Sequence, residues 1–252
     1  MQVTVLGKSP AWQDAGGACS GYLVQEGDFT LLLDCGNGVF GKLRETLDYL
    51  EVDAVLLSHL HADHCFDVVP FSYSLLVGPR AGTDHPQLHV PPGGGDTLRG
   101  LGGCLGDEGL IGRAFRVSEY DPAVALSLGP LTVRLCAVPH FVLTHAVEVS
   151  TAGGPRLTFS ADCRPNEALE NFAAGTDLLL AEATSVLAEG PVDQRGHLTA
   201  REAGELGRAA SAERLVVTHF SDELDPDHLR AEAAAGYGGP VQVAAEGAVY
   251  TV

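Results

Sequence analysis

The segment Ser58–Asp67, SHLHADHCFD, places three histidines and two aspartates within ten positions. Imidazole nitrogens and carboxylate oxygens are donors that divalent transition ions accept. The order His59-x-His61-x-Asp63-His64 sorts them. Where a chain leaves a strand still extended, positions two apart project to the same side, so His59 and His61 can hold one ion together. The chain then turns, and Asp63 and His64 face a second ion. The alternative is a solvated polar loop. Two ions need more ligands than these four, so the metal reading requires partners elsewhere in the chain.

Three candidates stand at the ends of expected strands: His140 in CAVPHF, Asp162 in TFSADC and His219 in VVTHF. A carboxylate can bridge two cations while imidazoles fill the flanks. One ion would then have His59, His61, His140 and Asp162. The other would have Asp63, His64, His219 and Asp162. Cys65 and Cys163 sit beside these candidates, and thiolates also bind zinc. The six cysteines include no C-x-x-C pair and read as free thiols, most of them buried.

The elements that must position these residues alternate along the chain. Val3–Leu6, Tyr22–Gln25 and Thr30–Leu33 read as strands, with Glu26-Gly27-Asp28 as a turn. Phe40, Leu43, Leu47 and Leu50 repeat at helical spacing over Gly38–Leu50, and Ala54–Ser58 is a buried strand ending at the histidine cluster. A helix through about Leu76 follows. Gly78–Gly112 is rich in glycine and proline; we read it as internal loops with a strand at LHVPP and a short helix at DTLRGL. Strands resume at Leu131–Val138, Ala146–Ser150 and Arg156–Ser160. The last third alternates helix Pro165–Ala173, strand Asp177–Glu182, helix Thr199–Ala210, strand Arg214–His219 and helix Asp225–Ala235, then strands Val241–Ala244 and Ala248–Val252. Pro165 suits a first helical turn, and Thr199 with Glu202 forms a capping box.

Composition narrows the function. Of 252 residues, 45% are apolar, enough to fill a substantial core. Thirty-three acidic against fifteen basic residues give a formal charge of −18, which repels nucleic acid and acidic membranes and favours divalent cations. No basic-then-apolar leader is visible, and no apolar run approaches the roughly 18 residues of a membrane helix, so we expect a cytoplasmic protein.

The ligand set and its order resemble the metallo-β-lactamase fold superfamily, and within it the ribonuclease Z-like, phosphodiesterase-like branch. The resemblance runs through LLLDCGNG (Leu31–Gly38), SHLHADH, the His140 strand, SADC, AEAT (Ala181–Thr184), GHLTAREAGE (Gly196–Glu205) and VVTHF. The histidine of GHLTAREAGE points to the branch, since lactamase- and glyoxalase-like members lack a counterpart. The resemblance implies an α/β fold, a four-layer αβ/βα sandwich forming a single hydrolase domain over residues 1–252. The dinuclear site would lie at one edge, and the family suggests a homodimer. Two departures are visible: Ala161 and Cys163 flank Asp162 where relatives commonly have Gly-Asp-Thr, and AEAT replaces a commoner start with histidine.

Two divalent ions roughly 3.5–4 Å apart lower the pKa of a shared water, making hydroxide available near neutral pH for in-line attack on phosphorus. Asp63 can orient that nucleophile. An alkoxide leaving group needs a positioned acid. His197 is the candidate, with Glu182 holding its imidazole and favouring the charged form. The matching histidine and glutamate of the ribonuclease Z-like branch have such roles. The bland alternatives are a His197 that only caps a helix and a Glu182 that is only an ion-pair partner. Asp34 reads as a hydrogen-bond acceptor behind the metal loop, or as a plain turn former. His145 faces substrate or packs internally; His85, His89 and His228 read as solvated or locally bonded. Trp12, in the loop GKSPAWQDAGG, packs on substrate or anchors that loop.

The expected activity is hydrolysis of a small phosphodiester, a cyclic nucleotide or short oligonucleotide. No basic, glycine-rich arm of the kind that grips transfer RNA is present, and GPRAGTDHPQLHVPPGGG carries one arginine. A large nucleic acid substrate is therefore disfavoured, although a transfer-RNA 3′-processing activity stays among the alternatives. A carboxyl-type hydrolase of lactones, thioesters or lactams is another, as is a non-catalytic metal-binding protein. Zinc suits the imidazole-rich ligands, while manganese and iron accept similar donors.

Overall fold

The structure, a computed structural model, describes residues 1–82, 85–185, 188 and 190–252. In chain order the strands and helices are β1 (Gln2–Gly7), β2 (Gly21–Glu26), β3 (Phe29–Leu33), α1 (Val39–Thr46), β4 (Ala54–Leu56), α2 (Ala62–Cys65), α3 (Val68–Val77), β5 (Gln87–Val90), α4 (Gly94–Cys104), α5 (Leu110–Ala114) and β6 (Arg116–Glu119). The second half continues with β7 (Leu126–Leu128), β8 (Leu131–Val138), β9 (Thr144–Thr151), β10 (Arg156–Phe159), α6 (Glu167–Phe172), β11 (Leu178–Glu182), α7 (Ala200–Ala209), β12 (Arg214–Thr218), α8 (Pro226–Tyr237), β13 (Gln242–Val243) and β14 (Val249–Thr251).

Two seven-stranded sheets result, ordered β14-β1-β2-β3-β4-β5-β6 and β13-β12-β11-β10-β9-β8-β7. The two-residue period of a strand divides the first sheet between two cores. Val3, Val5, Tyr22, Val24, Leu31, Leu33 and Leu56 share a core with the second sheet. Leu23, Leu32, Val55 and Leu88 point the other way and pack with residues of α1, α3, α4 and α5. Helices α6, α7 and α8 contribute Leu169, Ala203, Leu206, Leu229 and Ala233 to the second sheet's core. This is the helix–sheet–sheet–helix sandwich that the family resemblance implies. β11 is buried along its whole length because parallel strands covered by helices have no solvated face.

Parallel pairing collects strand ends. β3, β4 and β5 run parallel, with Leu33 opposite Leu56, and so do β10, β11 and β12, with Glu182 opposite Thr218. The carboxyl ends of each set therefore share one edge of their sheet, where open α/β sheets place ligands. Tyr22 and Thr218 join the two sheets through a 2.8 Å hydroxyl–hydroxyl bond.

Several elements differ from the sequence expectation. The helix expected over Gly38–Leu50 stops at Thr46. Leu47 is extended, and the Asp48 side chain accepts from Leu50 N at 3.1 Å to cap a separate 3-10 turn, Tyr49–Glu51. An aspartate's short side chain competes in this way with the helical ladder. The helix expected after the metal loop is two, α2 and α3. Pro165 lies outside α6, whose cap is Asn166, accepting from Leu169 N. Strands β6 and β7 differ from the expectation: β6 is largely solvated, and β7 alternates over only three residues, too few to mark a strand. The Thr199–Glu202 capping box is present. Positions 83 and 84 of the expected loop stretch lie outside the described residues.

An aromatic group fastens the helices over the first sheet. Phe71 stacks on Phe40 with centroids 4.7 Å apart and meets Tyr49 and Phe115 edge-on at 6.0 and 5.2 Å. Phe71→Ala should destabilise the fold by about 3–5 kcal/mol. Urea unfolding checks this, and a loss below about 1 kcal/mol would contradict the packing described.

Candidate metal centre

Every member of the sequence-derived set arrives at the edge where the two sheets meet. His59, His61, Asp63 and His64 leave β4 and enter α2; His140 follows β8, Asp162 follows β10 and His219 follows β12. Ligand atoms of His59, His61, His140 and Asp162 form one compact group, and those of Asp63, His64, Asp162 and His219 form another. Asp162 belongs to both. Its Oδ2 lies 3.8 Å from His59 Nε2 and from His140 Nε2, while its Oδ1 lies 3.3 Å from His64 Nε2 and 3.5 Å from His219 Nε2. Asp63 Oδ2 completes the second group at 3.2 Å from His219 Nε2 and 3.4 Å from His64 Nε2.

The far nitrogen explains which way four of the five rings face. His64 Nδ1 donates to Asp34 Oδ2 at 2.7 Å, and His140 Nδ1 donates to the Gly196 carbonyl at 2.9 Å. His59 Nδ1 donates to Ser58 Oγ at 3.0 Å, whose own hydroxyl donates to Asp34 Oδ2 at 2.8 Å. His219 Nδ1 donates to Thr184 Oγ1 at 2.6 Å, which donates in turn to Glu182 Oε2 at 2.8 Å. With Nδ1 protonated in all four, each Nε2 keeps its lone pair for the centre.

These residues fit divalent cations. His61 Nδ1 lies 3.2 Å from His59 Nε2 and 3.1 Å from His140 Nε2, and His64 Nε2 lies 3.2 Å from His219 Nε2. Two nitrogens on one tetrahedral zinc ion would stand about 3.3 Å apart. Asp162 Oδ1 is buried without a hydrogen-bond donor among the described residues. Asp34, Asp63, Asp162 and Glu182 are all buried, and among the described residues their ion-pair partners are histidines, never lysine or arginine. Buried carboxylates at such density require positive charge. Neither Cys65 nor Cys163 joins these groups.

Protonation follows the same logic. Burial holds His59 well below the ordinary imidazole value and takes His140 down to about 4, leaving both neutral, the form that binds metal. Burial opposes charge on His64 too, but Asp162 and Asp34 hold its pKa well above the ordinary value. Positive charge is thus demanded between those carboxylates.

His197 stands at the rim, 23% exposed, with Nδ1 3.0 Å from Glu182 Oε1 and 3.8 Å from Asp162 Oδ2. Burial disfavours its charge, yet the hydrogen bond to Glu182, with the nearby Asp162 and Asp63 charges, raises its pKa to about 9. Cations held beside it would push that value back down. Glu182 Oε1 also accepts from Cys163 N at 2.8 Å, so the carboxylate is fixed before it meets the imidazole.

Backbone strain concentrates here. Asp34, Ala161 and His219 adopt φ of 59°, 49° and 54°, three of the four non-glycine residues with left-handed backbone among those described. Such positions cost roughly 1–3 kcal/mol each and persist only where surrounding contacts over-determine them. Glycine would adopt the left-handed φ of Ala161 without the Cβ penalty.

Other sequence candidates fall elsewhere. His145 is buried behind the metal loop, its amide donating to the Ser58 carbonyl at 3.1 Å and its ring meeting Tyr120 Oη at 3.2 Å, so it packs rather than faces substrate. His89 is locally bonded to Gln87 and Ser118. His85 Nδ1, expected solvated or locally bonded, is buried with no hydrogen-bond partner among the described residues. His228 lines a cavity of about 250 Å³ between α7 and α8. Trp12 is 53% exposed and therefore no buried anchor for its loop. Ser58, Thr184 and the Gly196 carbonyl were not foreseen as supports. All three lie in motifs of the family resemblance, but a hydroxyl or a carbonyl there signals nothing until the fold brings its histidine to it.

Asp34 orients His64 directly and His59 through Ser58. Asp34→Asn should therefore weaken metal affinity about 10- to 100-fold, the usual effect of losing such a support. Competition with a chromogenic chelator measures this, with exposed Asp96→Asn as a control expected to bind normally. Unchanged affinity in Asp34→Asn would contradict the orienting role.

Residues 30–220 match the family model described as a beta-lactamase superfamily domain. The chain is 31% identical to the probable metallo-hydrolase YhfI of Bacillus subtilis over 99% of each sequence. It is 30% identical to a ribonuclease Z of Myxococcus xanthus, covering 98% of this chain and 96% of that protein. The crystal structure of YhfI superposes with a TM-score of 0.89 over 99% of this chain and 98% of its own, at 29% identity. The short form of human tRNase Z shares the fold at a TM-score of 0.76 and 20% identity, covering 100% of this chain and 99% of that one. With the model spanning most of the chain and the first two relatives matching nearly end to end, the chain belongs to the beta-lactamase superfamily as a metallo-hydrolase of its ribonuclease Z-like branch.

Proposed function

We propose that this protein is a divalent-metal-dependent phosphodiesterase acting on small phosphodiesters such as a cyclic nucleotide or short oligonucleotide. The observation that carries the reading is His197, held by Glu182 at 3.0 Å on the rim of the candidate metal groups. Hydrolysis of an activated lactone or thioester has little need of a strong acid at that place, whereas an alkoxide leaving phosphorus does. Ribonuclease Z among the relatives supports the same chemistry.

His59, His61, His140 and Asp162 would hold one cation, and Asp63, His64, His219 and Asp162 a second. Divalent cations there supply water activated near neutral pH and positive charge for the phosphoryl oxygens; zinc suits these donors, and manganese or iron is compatible. Asp63, itself a buried member of the second group, would also accept a hydrogen bond from the attacking water and orient it. Glu182 accepts from His197 Nδ1, leaving Nε2 to give its proton to the departing oxygen. The charge of −18 weakens attraction for long polyanions, which favours a small substrate.

Turnover of two diesters by metal-loaded protein tests this reading. Asp162→Ala should abolish cleavage of both. His197→Ala should slow release of an alkyl alcohol about 10²- to 10⁴-fold, the usual worth of a general acid, but slow release of 4-nitrophenolate less than about tenfold. If only a thioester or lactone turns over, the phosphodiesterase reading fails.

A further inference from the structure

The chemistry above leaves an apolar strip at the centre unused. Phe141, Val142 and Leu143 follow His140 directly and are 66%, 41% and 50% exposed. Three adjacent large apolar residues in solvent are costly to hydrate and commonly mark a binding surface. The Phe141 ring is held in place. Its centroid lies 5.0 Å from that of His140 and 6.1 Å from that of His197. It also packs on Gly196 so closely that a Cβ added there would fall 2.2 Å from Phe141 Cε2. The nearby cation Arg195 is engaged, its two terminal nitrogens 3.0 and 2.6 Å from the Glu202 carboxylate. Beyond His197, the side chains that Phe141–Leu143 offer a substrate at this rim are apolar.

We propose that Phe141 is a specificity-determining residue whose exposed ring stacks on a planar aromatic group, a nucleobase or aryl ring, carried on the leaving-group side of the substrate. The side follows from His197, which adjoins the ring and protonates the departing oxygen, so this assignment rests on the phosphodiesterase reading. Val142 and Leu143 extend the apolar surface beyond the ring. The preferred substrates are diesters whose leaving alcohol bears an aromatic ring close to the scissile bond.

Calorimetric titration of metal-loaded protein with phenyl phosphate and with methyl phosphate tests this. Both present the same phosphate group, so the ratio of their affinities isolates the ring. The wild type should bind phenyl phosphate about tenfold tighter, as one aromatic stacking contact supplies. Phe141→Ala should bring the ratio near one with methyl phosphate affinity unchanged, which also reports that the variant is folded and metal-loaded. Phe141→Trp should keep the preference. A ratio unaffected by Phe141→Ala overturns the proposal. A change of oligomeric state in Phe141→Ala with the ratio intact overturns it as well, making the strip a subunit contact. A Phe141-dependent ratio in a protein that hydrolyses no diester supports the stacking role and removes the phosphodiesterase reading, and with it the leaving-group side.

Discussion

Four carboxylates, those of Asp34, Asp63, Asp162 and Glu182, are buried where the sheets meet, and among the described residues no lysine or arginine pairs with them. Uncompensated charge in such a place would be prohibitive. Compensation comes from imidazoles, and imidazoles whose Nδ1 protons are committed elsewhere turn lone pairs inward. Ring nitrogens from His59, His61 and His140 converge at 3.1–3.2 Å, as do those of His64 and His219, at spacings that ligands of one cation would have. Asp162 is the pivot, with one oxygen toward each group of ligands.

The sandwich delivers these groups by register. Leu33 opposite Leu56 brings Asp34 level with the start of the metal loop, and Ser58 N bonds Asp34 Oδ1 at 2.7 Å. Glu182 opposite Thr218 brings the Glu182 carboxylate beside the residue that follows, His219. Left-handed backbone at Asp34, Ala161 and His219 then turns the chain sharply at the strand ends. From behind, Tyr120 donates to the carbonyls of Leu57 and Ser58 at 3.1 and 3.3 Å, holding the strand that carries the loop. Helix, strand and loop are thus each constrained by the same small volume.

Much of this was legible in the sequence because ligand chemistry restricts residue type. Histidine and aspartate at strand ends have few structural uses, so His140, Asp162 and His219 could be named without coordinates. The supports could not. Ser58 and Thr184 serve through a hydroxyl and Gly196 through its carbonyl, groups carrying no compositional signal, and their partners lie up to 56 residues away in sequence. Phe141 was overlooked for a related reason: exposure of an apolar residue beside a ligand is a property of the fold. Strands β6 and β7 escaped because a strand of three or four residues is defined by pairing to its neighbour and not by its own pattern.

We propose a pair of cations, with Asp162 contributing an oxygen to each group of ligands. Electron paramagnetic resonance of the manganese-loaded protein, with metal content measured on the same sample, tests it most directly. Two ions per chain with an exchange-coupled spectrum, replaced in Asp162→Ala by one ion or by an uncoupled signal, is the result the account predicts. One ion per chain in the wild type, or coupling that survives loss of Asp162, would contradict it.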